Sequence, residues 1–278
     1  MNQTIALRLP LLLATAALLS ACAMPAGRMA ADSCPVVASV PNGLYVAPYL
    51  GVENLLKPED FARDFACSDA IQARSFPRGY VTIFGSSRIG ENDDPIYAAV
   101  RSFAHQWGAR YGRTVPVMTG AGPGLMDAAN RGAAEAGAPS VGYTTYYDRT
   151  PTPTPQRPYG GDPTKALNAH VTHGLIFSSV AAREAAMIKH SAAMVFTPGG
   201  TGTEWEIYQV VEMIKSRQVL PVPVYFFGDR ARYWKALDAR LDDMVARRTV
   251  RRDELAFLKF VATPEELVQA LRADLRMD

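Results

Sequence analysis

The residues of this sequence whose types and spacing suit chemistry are concentrated in Val195-Phe196-Thr197-Pro198-Gly199-Gly200-Thr201-Gly202-Thr203-Glu204-Trp205-Glu206. The stretch reads as a buried strand, an abrupt turn and a helix starting near Thr203 and running to about Lys215. A helix start presents unpaired N–H groups with the positive end of the helix dipole behind them. Gly199, Gly200 and Gly202 keep side chains out of the way, so a phosphate can approach those N–H groups, with Thr201 and Thr203 beside it. Glu206 follows Thr203 by one helical turn and shares its face. The same Thr203-x-x-Glu206 spacing fits a capping box, in which both side chains merely satisfy the helix start. A cap does not require three glycines, which favours an anion site with a carboxylate beside it.

The surrounding chain must position this stretch. From Tyr80 onward, apolar runs alternate with helical stretches, the pattern of an α/β fold in which a parallel sheet is covered by helices on both faces. Strands are expected over residues 80–84, 115–118, 140–144, 171–177, 193–197 and, last, 221–227. Helices are expected over 95–111, 125–136, 181–190, 233–247 and 264–275. Two more turns follow strands: Gly85-Ser86-Ser87, and Gly120-Ala121-Gly122-Pro123-Gly124. Ligands of open parallel sheets bind outside the carboxyl ends of the strands, so three such turns on one rim argue for a phosphorylated small molecule. Residues 148–165 are Pro-rich without periodicity, the mark of a functional loop or of disorder.

Several chemistries lack their residues. The middle turn has its third glycine one position too early for a dinucleotide fingerprint, and Tyr143-Thr144-Thr145-Tyr146 stands where the ribose-binding acid belongs. No Walker lysine is present. His170-x-x-His173, read on a strand, points its rings to opposite faces, so no metal site is expected, and no cofactor. A formal net charge of +2 over 278 residues implies no nucleic-acid partner. Arg247-Arg248 and Arg251-Arg252 read as a solvated helix end.

The N-terminus has its own organisation. Arg8, an apolar run from Leu9 to Leu19 and then Leu19-Ser20-Ala21-Cys22 fit a secretory signal too short to span a bilayer. The ending resembles the bacterial lipobox, which implies lipidation of Cys22; an ordinary signal peptide cut nearby is the alternative. Ala23 after that cysteine suggests sorting to the outer membrane, on its periplasmic face. The expected organisation is therefore a signal peptide at 1–22, a tether at 23–40 and one domain at 41–278 with an N-terminal extension over 41–77. Cys34 and Cys67 then remain as an even pair in an oxidising compartment, either a disulfide pinning the extension or two independent thiols.

Pro198-Gly199-Gly200-Thr201-Gly202-Thr203-Glu204-Trp205-Glu206 resembles Pro-Gly-Gly-x-Gly-Thr-x-x-Glu, the signature of the lonely-guy (LOG) family of cytokinin riboside 5'-monophosphate phosphoribohydrolases, often labelled lysine decarboxylases. Gly85-Ser86-Ser87, Gly120 to Asp127 and Arg183-Glu184-Ala185-Ala186-Met187 align in order with the family's other motifs, over roughly residues 80–271. The resemblance implies a Rossmann-like three-layer fold and hydrolysis of the N-glycosidic bond of a nucleoside 5'-monophosphate to base and ribose 5-phosphate. It implies Arg183 and Glu206 as the catalytic pair. The phosphate cradle would be Gly199, Gly200, Gly202 and Thr203, with Ser86 and Ser87 nearby. A homodimer is also implied, with Tyr208, Val211 and Ile214 as available apolar surface. Glu184 is a departure: many members carry lysine after the arginine. The competing expectation is a non-catalytic envelope protein that binds a nucleotide or phosphorylated cofactor on the same rim.

Overall fold

The computed structural model describes residues 34–48, 53–146 and 163–278. The signal segment with Cys22, most of the tether and most of the Pro-rich stretch lie outside the described residues. Among the described residues, eight strands form one all-parallel sheet: β1 (Gly43–Val46), β2 (Tyr80–Phe84), β3 (Val117–Thr119), β4 (Ser140–Thr145), β5 (His173–Phe177), β6 (Ser191–Phe196), β7 (Val224–Phe227) and β8 (Leu258–Val261). The spatial order is β1-β5-β4-β3-β2-β6-β7-β8, parallel in every pairing. Every residue of β2, β3, β4 and β7 is buried, as a sheet covered on both faces demands of its central strands. This is the expected Rossmann-like three-layer α/β architecture.

Among the described residues, seven α-helices cover the sheet. One face carries α1 (Pro58–Ser75), α4 (Val180–Lys189), α5 (Thr201–Lys215) and α6 (Lys235–Ala246), packed through Ile71, Met187, Val210 and Leu237. The other carries α2 (Ile96–Tyr111), α3 (Leu125–Glu135) and α7 (Pro264–Asp274), packed through Phe103, Trp107, Ala129 and Leu267. The alanines and glycine of α3 let it pack tightly against α2. A Cβ on Gly132 would stand 2.2 Å from the Arg101 carbonyl oxygen.

From β2 the chain lays β3, β4 and β5 on one side and then crosses back to place β6 against the other edge of β2. The strand order reverses there, and a crevice opens beyond the carboxyl ends at such a reversal. The turns after β2, β3 and β6 all lie at this point.

The extension is more than a flap. It supplies the edge strand β1 and helix α1. Residues 34–40, expected as tether, dock at both ends: Cys34 and Val40 are buried, while 36–39 stay exposed. Cys34 and Cys67 form a disulfide, with Cα atoms 5.6 Å apart. Asp64, fully buried, accepts the Ser178 and Ser179 N–H groups and the Tyr45 hydroxyl.

Other departures have local causes. β7 begins at Val224 rather than at residue 221 because Pro221 and Pro223 offer no N–H to a ladder. It is not the last strand, since β8 follows. β5 begins at His173, because Asn168 closes a turn by accepting the His170 N–H and the Val171 N–H. A π-helical turn, Arg230–Trp234, leads into α6. The arginines at 247, 251 and 252 pair with Asp243, Asp253 and Asp242 at the surface, which fits the solvated-end reading. No described helix is long and apolar enough to cross a membrane.

Candidate functional site

Gly85, Ser86, Ser87, Gly120, Gly122, Gly200, Thr201, Gly202 and Thr203 line one cavity of about 750 Å³ with Arg183 and Glu206. Backbone bonds lock the three turns together. The Ser86 N–H donates to the Pro198 carbonyl, and the Ser86 carbonyl accepts the Leu125 N–H that opens α3. Gly85 is required by close approach, since a Cβ there would stand 2.0 Å from Thr197 Oγ1. Gly124 and Gly199 do not line the cavity. Gly124 has φ +70° and lies against the Ser86 carbonyl, and Gly199 packs on the Thr203 side chain. Both shape the rim from behind.

Helix α5 begins at Thr201, two residues earlier than expected, with Gly200 as its N-cap and no side-chain cap among the described residues. Thr203 is therefore the third helical residue, and Thr203 and Glu206 form no capping box. Positions where a Cβ on Gly200 or Gly202 would sit are open space. Helix α4 provides the contrast: the Glu53 carboxylate accepts the Val180 and Ala181 N–H groups and the Ser179 hydroxyl. One helix start at this edge is filled by the protein's own acid; that of α5 faces the cavity bare. Bare N–H groups at the positive end of a helix dipole suit an anion.

Arg183 lies one turn into α4 and points across to α5. It is 6% exposed, its Nη2 stands 3.6 Å from Glu206 Oε1, and its Nη1 lies 3.3 Å from where a Cβ on Gly120 would be. It also pairs with Glu184, which is 1% exposed and lines the same cavity. The cavity wall thus carries a row of charges: carboxylate, guanidinium, carboxylate. Burial pushes the Glu206 carboxyl up to about 7, with Arg183 pulling it the other way. Loss of solvation disfavours the charged form more than a guanidinium 3.6 Å away favours it. Glu206 thus changes protonation near neutrality.

Apolar residues complete the cavity. Pro123, Met126 and Val180 line it, and Trp205 stands at its mouth 47% exposed. Sequence reasoning gave Met126 and Trp205 no role, although both lie inside the glycine motifs. Arg88, directly after Ser87, lines the cavity too, and its place in that turn was a signal available from the sequence. His170 is off the strand, and its Nδ1 is 2.8 Å from Asp127 Oδ1. His173 alone begins β5. No cluster of three metal-ligating side chains occurs among the described residues. Val211 and Ile214 are core residues, and Tyr208 packs partly buried against them, so internal packing accounts for the apolar surface expected on α5.

With that geometry in place, a family profile described as "Possible lysine decarboxylase" matches residues 126–271, more than half of the chain. The chain belongs to this family. It is the grouping to which the Pro-Gly-Gly signature pointed. The match takes in Arg183, Glu206 and the third glycine turn, and starts after the first two turns. Comparison with curated proteins finds no match. Among solved structures, the chain is similar to the molybdenum cofactor carrier protein from Chlamydomonas reinhardtii, at 16% identity and a TM-score of 0.49, over 71% of this chain and 98% of that one. It is also similar to the molybdenum cofactor binding protein from Rippkaea orientalis, at 16% identity and a TM-score of 0.46, over 69% and 93%.

Proposed function

We propose that this protein hydrolyses the N-glycosidic bond of a nucleoside 5'-monophosphate of the AMP or cytokinin riboside monophosphate type, releasing base and ribose 5-phosphate. The observation that carries the reading is one cavity holding a bare helix start and, one turn further on, a carboxylate 3.6 Å from a buried guanidinium. The phosphate binds the N–H groups of residues 201–203, with Ser86 and Ser87 alongside. The sugar then lies over Glu206 and Arg183. As the C1'–N bond breaks, its electron pair leaves with the base and positive charge develops on the sugar ring. Ionised Glu206 stabilises that charge and orients the water whose oxygen bonds to C1'. The water's proton passes by way of the carboxylate to the departing base. Arg183 holds Glu206 in place and supports negative charge on the leaving group. The apolar wall of Met126 and Trp205 suits the flat base.

The test is incubation of the purified protein with AMP and related monophosphates while free base is followed by chromatography. Base release that disappears in Glu206→Ala and Arg183→Ala supports the enzyme. Tight nucleotide binding with no base released would instead support a non-catalytic carrier.

We propose further that the mature protein is anchored through a lipid on Cys22 at the periplasmic face of the outer membrane and acts there on nucleotides outside the cytosol, as a homodimer. The Cys34–Cys67 disulfide suits an oxidising compartment. Mass spectrometry of the mature N-terminus that found an unmodified residue there would exclude the anchor.

A further inference from the structure

Glu184 is the member of the charged row that the proposed hydrolysis does not use. It is fully buried and lines the cavity. One carboxylate oxygen pairs with Arg183. The other, Oε2, is buried with no hydrogen-bond partner among the described residues. A buried carboxylate oxygen left unpaired is costly, and a donor supplied by a ligand removes that cost. The donor cannot be a second phosphate, because a carboxylate repels one. Nor is Glu184 placed for the phosphate already assigned, which belongs to the bare start of α5. Arg183 joins Glu184 to Glu206, and Glu206 lies one turn beyond that helix start. The groups of a bound nucleotide found at this level are those just inward of the phosphate, the sugar hydroxyls.

We propose that Glu184 selects the sugar: its carboxylate, turned to the cavity it lines, accepts hydrogen bonds from the ribose hydroxyls, so that the site takes ribonucleotides and rejects their deoxy counterparts. This rests on the phosphate-site reading above and deepens it. A hydroxyl bound to a charged acceptor contributes more than one bound to a neutral acceptor. A cavity built around such an acceptor discriminates strongly against a ligand lacking the hydroxyl, because the acceptor is then buried unpaired.

The experiment is calorimetric titration in the Glu206→Gln background, where turnover is removed. The ligands are AMP, 2'-deoxy-AMP, 3'-deoxy-AMP, ribose 5-phosphate and 2-deoxyribose 5-phosphate. AMP is expected to bind at least about tenfold more tightly than one or both deoxy forms, and ribose 5-phosphate to be preferred over its deoxy form by a similar factor. Adding Glu184→Gln is expected to shrink that preference severalfold while the deoxy ligands bind as before. Equal binding of ribo and deoxy ligands overturns the proposal without any substitution at Glu184, so a poorly folding variant does not shield it. A preference that survives Glu184→Gln unchanged also overturns it. Failure of both AMP and ribose 5-phosphate to bind would bring down the phosphate-site reading and this proposal together.

Discussion

Glu206 meets two opposed demands at the scale of a single residue. The proposed chemistry needs its carboxylate charged, and its burial favours the neutral form. The folded value of about 7 lies above the ordinary value of 4.5, so the stabilising contribution is complete below about pH 4.5 and is lost as pH rises through 7. Glu206→Gln should therefore unfold at the same temperature as wild type near pH 4. At pH 8 it should be the more stable of the two by about 3 kcal/mol, as read by thermal melts across pH. The same substitution should lower kcat on a nucleoside monophosphate by about a hundredfold or more, and wild-type kcat should rise with pH through 7. A Glu206→Gln protein no more stable than wild type at pH 8 would show that burial does not hold the group neutral. The position of Glu206 was legible in its spacing from the glycines. Its titration was not, because Arg183 and the burying atoms arrive from elements distant in sequence.

At the scale of elements, the central strands and most helices were legible because their apolar runs are long and bounded by glycine or proline. Strands β1 and β8 were not. β1 is buried only at Tyr45 and Val46 and β8 is nowhere fully buried, so no continuous apolar run marks them, and each is a strand only because an existing edge offers it hydrogen bonds. The start of α5 was misplaced by two residues for a related reason. Thr203 looks like a cap, yet the backbone at Gly200 already takes that role, leaving the N–H groups free for a ligand. Helix α3 packs on α2 with no side chain between Gly132 and the Arg101 carbonyl oxygen. Gly132→Ala should force the two helices apart and cost about 1–3 kcal/mol. Denaturant melts should show a lower midpoint with an unchanged slope, and an unchanged midpoint would mean that the helices shift at no cost.

At the scale of the whole molecule, the extension is tied to the domain at several points. β1 extends the sheet, Asp64 and Glu53 hold the residues that open α4, and the disulfide closes a loop spanning 33 positions. A loop of that length constrains the unfolded chain by about 4 kcal/mol. Reduction with dithiothreitol, or Cys34→Ser with Cys67→Ser, should lower the denaturation midpoint accordingly. Equal stability of the reduced and oxidised protein would mean that the crosslink constrains little. Since Glu53 and Asp64 hold the end of α4 from which Arg183 projects, loosening the extension should also weaken activity on a nucleoside monophosphate.

The amino-acid order by itself determined the alternation of strand and helix and the three glycine turns, because each of these is a local pattern; the pairing of Arg183 with Glu206 came from the family resemblance. Tertiary structure alone decided that Glu184 is a buried wall of the cavity, that Gly124 and Gly199 stand behind the rim, and that Asp64 and Glu53 brace α4. Those facts depend on which distant segments meet, and contact across a sheet leaves no period in the sequence.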